Sequence, residues 1–408
     1  MRRILDRDNL FRALDQVRRN QGSPGVDGMT VEQLPVYLKH HWPHIREQLV
    51  EGSYRPQPIK RVMIPKPNGD KRPLGIPTVL DRLIQQAIAQ VLSETWEPKF
   101  HPHSFGFRPG KSAHQALLTM QHFVREEHTI VVDMDLKAFF DEVNHDRLMV
   151  KLKRAHPDGD VLRLINRYLK APVEYQGGRI KPSQGVPQGG PLSPLLANIV
   201  LNELDWELNQ RGHKFVRYAD DFQVYVKSHR AGHRIIASLG HFIEKRLRLK
   251  VNLEKSAVDL VWNRPFLGFT LSSRGKRLKV SEKSLKRLKA KIRTLTRRTR
   301  GHSIPQILSD LRQYLLGWKA YFDIAEVVSP LKDLDKWIRR KLRCYIWKQW
   351  GRSGYRQLRR LGIDRQLAWN TAKSAHGPWR LSKSPALYKA LPNRYFADLG
   401  LPQLAARV

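Results

Sequence analysis

The segment Phe215-Val-Arg-Tyr-Ala-Asp-Asp-Phe-Gln-Val-Tyr-Val226 constrains the chain more than any other. β-Branched and aromatic residues flank a short polar centre, the pattern of two strands around a tight turn. Asp220 and Asp221 then sit at a hairpin tip. Aspartate favours turns for conformational reasons alone, so this tip in isolation carries little functional weight. A second acidic strand end changes that. In Ile130-Val-Val-Asp-Met-Asp-Leu-Lys-Ala-Phe-Phe-Asp-Glu-Val143 an apolar strand runs into acids, and the two-residue side-chain period puts Asp133 and Asp135 on one face. Asp135, at the strand end, is the better metal ligand. One carboxylate facing two on a neighbouring hairpin can hold two magnesium ions roughly 3.5–4 Å apart, as in-line phosphoryl transfer requires. Asp133, Asp141 and Glu142 read as salt-bridged or solvated acids.

Charge points to the substrate. Lys and Arg number 74 against 37 Asp and Glu, a formal net charge of +37 in 408 residues. Such an excess calls for a polyanionic partner. No apolar run of about 18 residues and no signal-peptide pattern follows Met1, so nucleic acid in the cytoplasm is expected rather than a membrane. Cys344 is the only cysteine, which excludes an internal disulfide and a cysteine-rich zinc site. Hydrophobic residues make up 41% of the chain, enough for two or three folded domains.

Along the chain, Met1 to Asn20 has helical spacing and breaks at Gln21 to Gly28. Tyr54 to Pro77 reads as a basic β-hairpin turning at Asn68-Gly69. Asp81 to Glu94 is helical and Thr129 to Leu136 strand-like. Beyond Leu271 a cationic helical region begins, with Leu285, Leu288, Ile292 and Leu295 in helical period and Glu282 the single acid between Arg274 and Arg300. A domain boundary is expected near residue 275, and a third segment from Gly351. In Leu315 to Phe322 and Leu334 to Trp347 the aromatics Trp318, Tyr321, Trp337 and Trp347 are expected in a helical core, with the cations exposed.

Two motifs mislead. Gly106-Phe-Arg-Pro-Gly-Lys-Ser112 is one residue short of a phosphate-binding P-loop and follows no strand. His101, His103 and His114 lack zinc-site spacing and are expected to face solvent or nucleic acid.

The ordered motifs Gly25-Val-Asp-Gly28, Pro73-Leu-Gly-Ile-Pro77, Phe105-Gly-Phe-Arg-Pro-Gly110, Asp135 to Asp141, Gln184-Gly-Val-Pro-Gln-Gly-Gly-Pro-Leu-Ser-Pro194, Tyr218 to Asp221, Asn252-Leu-Glu-Lys255 and Phe266-Leu-Gly-Phe269 resemble bacterial group II intron-encoded reverse transcriptases, the intron maturases. The resemblance implies an α+β right-hand polymerase fold, with fingers and palm built on antiparallel sheet over residues 1–275. A helical thumb, or maturase, domain over 276–350 and a small basic DNA-binding region over 351–408 would follow.

It implies catalysis by Asp135, Asp220, Asp221 and Lys255, with the metal held at Asp135, Leu136, Asp220 and Asp221. Lys66 and Arg72 would hold the triphosphate, a role suited to charge-assisted phosphate contacts. Phe140 would exclude a 2′-hydroxyl, and Gln188 would pack on the nucleotide. Lys255 would protonate pyrophosphate, a plain phosphate contact being the alternative. The cofactor would be Mg2+, two ions, with Mn2+ as a substitute.

The implied partners are group II intron RNA, an RNA template with a DNA primer, deoxynucleoside triphosphates and target DNA, in the bacterial cytoplasm at the nucleoid. Without the cysteine pairs common in appended nuclease modules, no target-strand cleavage is expected, and priming would use an existing 3′ end. Two other readings are an RNA-binding splicing factor without polymerase activity, and a host-adopted reverse transcriptase serving DNA repair or phage defence.

Overall fold

β-Branched and aromatic runs become strands where their two-residue period predicts them. The computed structural model describes residues 1–65 and 69–406, and the chain divides into two compact units, Met1–Leu260 and Val261–Val408. In the first unit β1 (Ile59–Pro65) and β2 (Lys71–Ile76) pair antiparallel with Pro65 opposite Lys71. This is the expected basic pair of strands; Asn68 of the expected turn lies outside the described residues. The unit also contains β3 (Ile130–Met134), β4 (Val173–Tyr175), β5 (Gly178–Ile180), β6 (Lys214–Tyr218), β7 (Asp221–Val226) and β8 (Ala257–Leu260).

Two four-stranded sheets result, in the orders β2-β1-β4-β5 and β6-β7-β3-β8. The second is antiparallel throughout, while the first contains one parallel pair, β1 with β4. Met134 lies opposite Phe222, and Tyr218 opposite Asp221. The end of β3 is thereby brought beside the β6–β7 tip.

Helices cover the second sheet. Three of its strands are buried along most of their length, β7 at every residue after Asp221, while β8 is half-buried throughout. The helix His229–Phe242 packs on β3, β7 and β8. It can do so because Gly232 lacks a Cβ, which would lie 2.4 Å from Val258 Cγ1. The helix Val79–Trp96 starts at Thr78, whose hydroxyl accepts the Asp81 N–H, and buries Leu83, Ile84, Ala87, Ile88 and Leu92. Each large aliphatic side chain so buried contributes about 1.5–3 kcal/mol. Asp81 is itself buried, accepting the hydroxyls of Tyr54 and Tyr168 at 2.8 and 3.1 Å.

The second unit opens with a hairpin of β9 (Phe269–Leu271) and β10 (Leu278–Val280). The helices Glu282–Leu295, Ile304–Phe322 and Ser329–Trp350 follow, then shorter ones. Trp347 is buried, and Trp318 stacks on Phe322 at 4.3 Å. Cations lie over the half-buried Trp337, with Arg293 at 5.6 Å and Lys341 at 5.8 Å. Buried Asp335 accepts the backbone N–H groups of Leu404 and Ala405 at 2.9 and 3.0 Å, tying down the C-terminal segment. Among the described residues no helix is long and apolar enough to cross a membrane.

Candidate active site

The hairpin tip is a two-residue turn, Ala219-Asp220, between the paired Tyr218 and Asp221. Ala219 adopts φ +59°, a left-handed conformation that costs a residue with a Cβ roughly 1–2 kcal/mol. Its carbonyl accepts a hydrogen bond from Arg217 Nη1 at 2.8 Å. Strain of this kind persists only where the surroundings impose it.

Asp135 follows the last residue of β3 and is held by the segment before β8. Its backbone N–H donates to Ser256 Oγ at 3.1 Å. Asn252 donates twice, from Nδ2 to Asp135 Oδ2 at 2.9 Å and from its backbone N–H to the Asp135 carbonyl at 2.8 Å. Lys255 Nζ lies 3.7 Å from the same Oδ2. Leu136 bridges Val251, but the ladder bonds run through Asp135 and Lys137. What a leucine can offer a cation is its main-chain carbonyl.

These acids sense one another. The Asp221 carboxyl is pushed up to about 7, first by the protein crowded around it and then by Asp133, Asp220 and Asp135, although water still reaches the residue. Asp220 is also raised, chiefly by desolvation and further by Asp135; its own backbone N–H, Arg72 and Arg217 oppose the shift. Hard carboxylate and carbonyl oxygens suit a hard divalent cation, whose charge would relieve this repulsion. Among the described residues no three acid, histidine or cysteine side chains close on a common point. Magnesium does not require that, because it retains waters and substrate phosphates among its ligands. The donor set therefore fits the ion.

On the neighbouring sheet, Arg72 is exposed on β2, and its charge reaches Asp220. Lys66 lies outside the described residues. The Gln188 carbonyl accepts the Gly75 N–H at 2.7 Å. A Cβ on Gly189, at φ +123°, would lie 2.2 Å from the Gly75 carbonyl oxygen. Phe139 is buried in the core, whereas Phe140 is half-exposed, and its carbonyl accepts the Val186 N–H at 2.6 Å. Backbone bonds thus tie the β2 strand, the Gln188 loop and the Phe140 turn into one wall. Of the remaining acids, Asp133 accepts from Gln223 at 3.2 Å and Glu142 pairs with Lys250 at 3.0 Å.

The family model for reverse transcriptase (RNA-dependent DNA polymerase) matches residues 64–271, half of the chain. The chain belongs to the reverse transcriptases. A second model, the group II intron maturase-specific domain, matches residues 285–362. Together the two mark a group II intron-encoded reverse transcriptase with a maturase domain, an RNA-directed DNA polymerase by family. Protein YkfC of Escherichia coli is 35% identical over 59% of this chain and 73% of that protein. The group II intron-encoded protein LtrA of Lactococcus lactis is 35% identical over 60% of this chain, but the match spans only 40% of LtrA. Reverse transcriptases as a family use divalent metal ions and bind nucleic acid.

Sequence reasoning missed what supports the reverse transcriptase tip. Arg217, in β6, is fully buried, and so are Ser104, Asn198 and Asp205. Its guanidinium donates to Asp205 Oδ1 and Oδ2 at 2.7 and 2.6 Å, to Asn198 Oδ1 at 2.9 Å, to Ser104 Oγ at 2.7 Å and to the Ala219 carbonyl. A signal was available, because Asp205 falls in helical register with Leu201, Leu204 and Leu208, and an acid on an apolar face needs a buried partner.

The expectation for His101 and His103 is corrected. His101 is buried and His103 half-buried, packed with Phe123, Trp206 and Phe215 rather than facing solvent. Trp206 and Phe215 come from distant elements that close over the pair. The P-loop look-alike ends at Ser112, whose hydroxyl is committed to capping the helix Ala113–Arg125.

Proposed function

We propose that the chain extends a DNA primer on an RNA template, with two Mg2+ ions, or Mn2+ in their place, held by Asp135, Asp220, Asp221 and the Leu136 carbonyl. The reading rests on one observation: the end of β3 and the β6–β7 tip are neighbours in one sheet, and their carboxyls repel one another. Bound divalent ions would make the primer 3′-hydroxyl a better nucleophile and offset charge on the departing pyrophosphate.

The protein's own groups supply the rest. Asn252 and Ser256 orient Asp135. Arg72 and Lys66 neutralise and align the incoming triphosphate, with arginine suited to paired phosphate contacts. Phe140 lies beneath the nucleotide sugar, where its ring excludes a 2′-hydroxyl. Gln188 packs against sugar and base on the wall shared with β2. Lys255, beside Asp135, delivers a proton from Nζ to the leaving pyrophosphate oxygen.

Residues 276–350 serve as the thumb, gripping the template–primer duplex and binding group II intron RNA to assist splicing and mobility. Residues 351–408 contact target DNA. The work is placed in the bacterial cytoplasm, at the nucleoid. Primer extension with deoxynucleotides, comparing the parent with Asp220→Asn, tests the polymerase. Incorporation by the parent and none by the variant is expected, and an inactive parent rejects the reading. The splicing role is tested separately by adding protein to the flanking intron at low magnesium, where an unchanged splicing rate rejects it.

A further inference from the structure

The bonds around Arg217 converge on the one strained residue at the tip. Arginine has five N–H donors, and here each has an acceptor within 2.9 Å: two on Asp205 and one each on Asn198, Ser104 and the Ala219 carbonyl. Asn198 is also doubly used, receiving Arg217 on Oδ1 and donating from Nδ2 to the Gly106 carbonyl at 2.9 Å. Gly106 presses on the tip, since a Cβ there would lie 2.3 Å from the Ala219 nitrogen. The main chain adds two bonds, Arg217 N–H to the His103 carbonyl at 3.0 Å and Phe105 N–H to the Arg217 carbonyl at 2.9 Å.

A buried arginine–aspartate pair is a weak source of stability, because desolvation offsets most of its attraction. The helix Ser193–Gln210, the loop at Ser104 and the tip itself nevertheless meet on this one guanidinium. Its one bond to a strained residue goes to the residue that immediately precedes Asp220.

We infer that Arg217, fixed by Asp205, Asn198 and Ser104, is a positioning residue that clamps Ala219 in its left-handed conformation and so sets where Asp220 and Asp221 present their carboxylates. The inference rests on the polymerase reading of those two acids. It assigns the Phe105-Gly-Phe-Arg-Pro-Gly110 motif a place as well: its first glycine is the backstop of the tip. Without the clamp the turn relaxes toward an unstrained conformation, and the carboxylates leave register with Asp135.

The test is a double-mutant cycle between the clamp and the strain it holds. Asn198→Ala removes a clamp partner while leaving the Arg217–Asp205 charge pair intact, so it is the variant of choice. Arg217→Lys would strand part of Asp205 and serves as a second, harsher variant. Ala219→Gly removes the conformational penalty, because glycine adopts positive φ freely. In single-nucleotide primer extension, Asn198→Ala is expected to lower kcat about 10-fold or more, as for a slightly misplaced catalytic group. KM for the deoxynucleotide should change less than about 3-fold, and the magnesium concentration for half-maximal rate should rise.

In the Ala219→Gly background the same substitution should cost at least about 5-fold less, the penalty for the left-handed conformation being already gone. Loss of a core contact with no positioning role would lower the melting temperature, but its kinetic effect would be the same in both backgrounds. Equal kcat losses in the two backgrounds, or a parent-like kcat for Asn198→Ala, overturn the inference. Amide hydrogen exchange gives a readout independent of activity: Asn198→Ala should speed exchange at residues 218–222 with the rest of the sheet unchanged. Unaltered exchange there rejects the clamp even if the parent proves inactive, an outcome that rejects the polymerase reading instead.

Discussion

Replacing Gly106 with alanine probes the tip from its back side. The new Cβ would lie 2.3 Å from the Ala219 nitrogen, 2.9 Å from the Tyr218 carbonyl carbon and 3.1 Å from Ala219 Cα, all backbone atoms, where ordinary contact begins at 3.4 Å. No flexible side chain can yield, so the tip or the 104–107 loop must retreat by about 1 Å. Overpacking of this kind costs about 1–3 kcal/mol, which lowers the melting temperature by a few degrees and leaves the protein folded. Its kinetic effect is larger, because a displacement of about 1 Å at a catalytic group can cost on the order of 100-fold. Steady-state primer extension should therefore show kcat down roughly 100-fold with primer–template affinity unchanged, since the cationic surface is untouched. A variant with kcat within about 3-fold of the parent would mean that the tip tolerates displacement, and the geometric reasoning would be wrong.

Three further outcomes are expected. Phe140→Ala should lower the preference for deoxynucleotides over ribonucleotides by roughly 10-fold or more, read from competing incorporation; an unchanged ratio assigns discrimination elsewhere. Lys255→Ala should reduce kcat by roughly 100-fold or more if its proton is used, and Lys255→Arg, which keeps the charge but holds its proton too tightly, should rescue poorly. Good rescue by arginine would leave only an electrostatic contact. The half-buried His103 is held down to about 4 from 6.5, mainly by burial and then by His101, Lys214 and Lys111. The folded state thus keeps His103 neutral where the unfolded chain takes up a proton, so stability is lost as pH falls from about 6.5 to about 4. After discount for partial solvent access the loss is on the order of 1–2 kcal/mol. His103→Phe should flatten urea midpoints across that window, and identical pH profiles would refute the assignment.

The elements nearest the chemistry were the most readable. The strands around Asp220 and Asp221 and the strand before Asp135 announced themselves because apolar period and turn residues agree locally. Two features were hidden for one physical reason, namely that their partners are remote in sequence. Arg217 looks like a solvent-facing strand residue until the helix containing Asn198 and Asp205 covers it. His101 and His103 look polar until Trp206 and Phe215 enclose them. Asn252 belongs to the motif Asn252 to Lys255, but its grip on Asp135 spans 117 residues and is not encoded in the motif's spacing.

The reach of these supports has a consequence for how the protein comes into being. Arg217 and Ser104 are 113 residues apart, and Ser256 and Asp135 are 121 apart. Contacts between such distant residues cannot form until both partners have been synthesised, and closing the loop between them carries an entropic cost. A nascent chain that has emerged only to Val226 already contains Asp135, Asp220 and Asp221 and both strands of the β3–β7 pair, yet the bonds that orient Asp135 itself await Asn252 and Ser256. On the proposed reading of these aspartates, an interrupted translation product would carry all three without the bonds that orient Asp135.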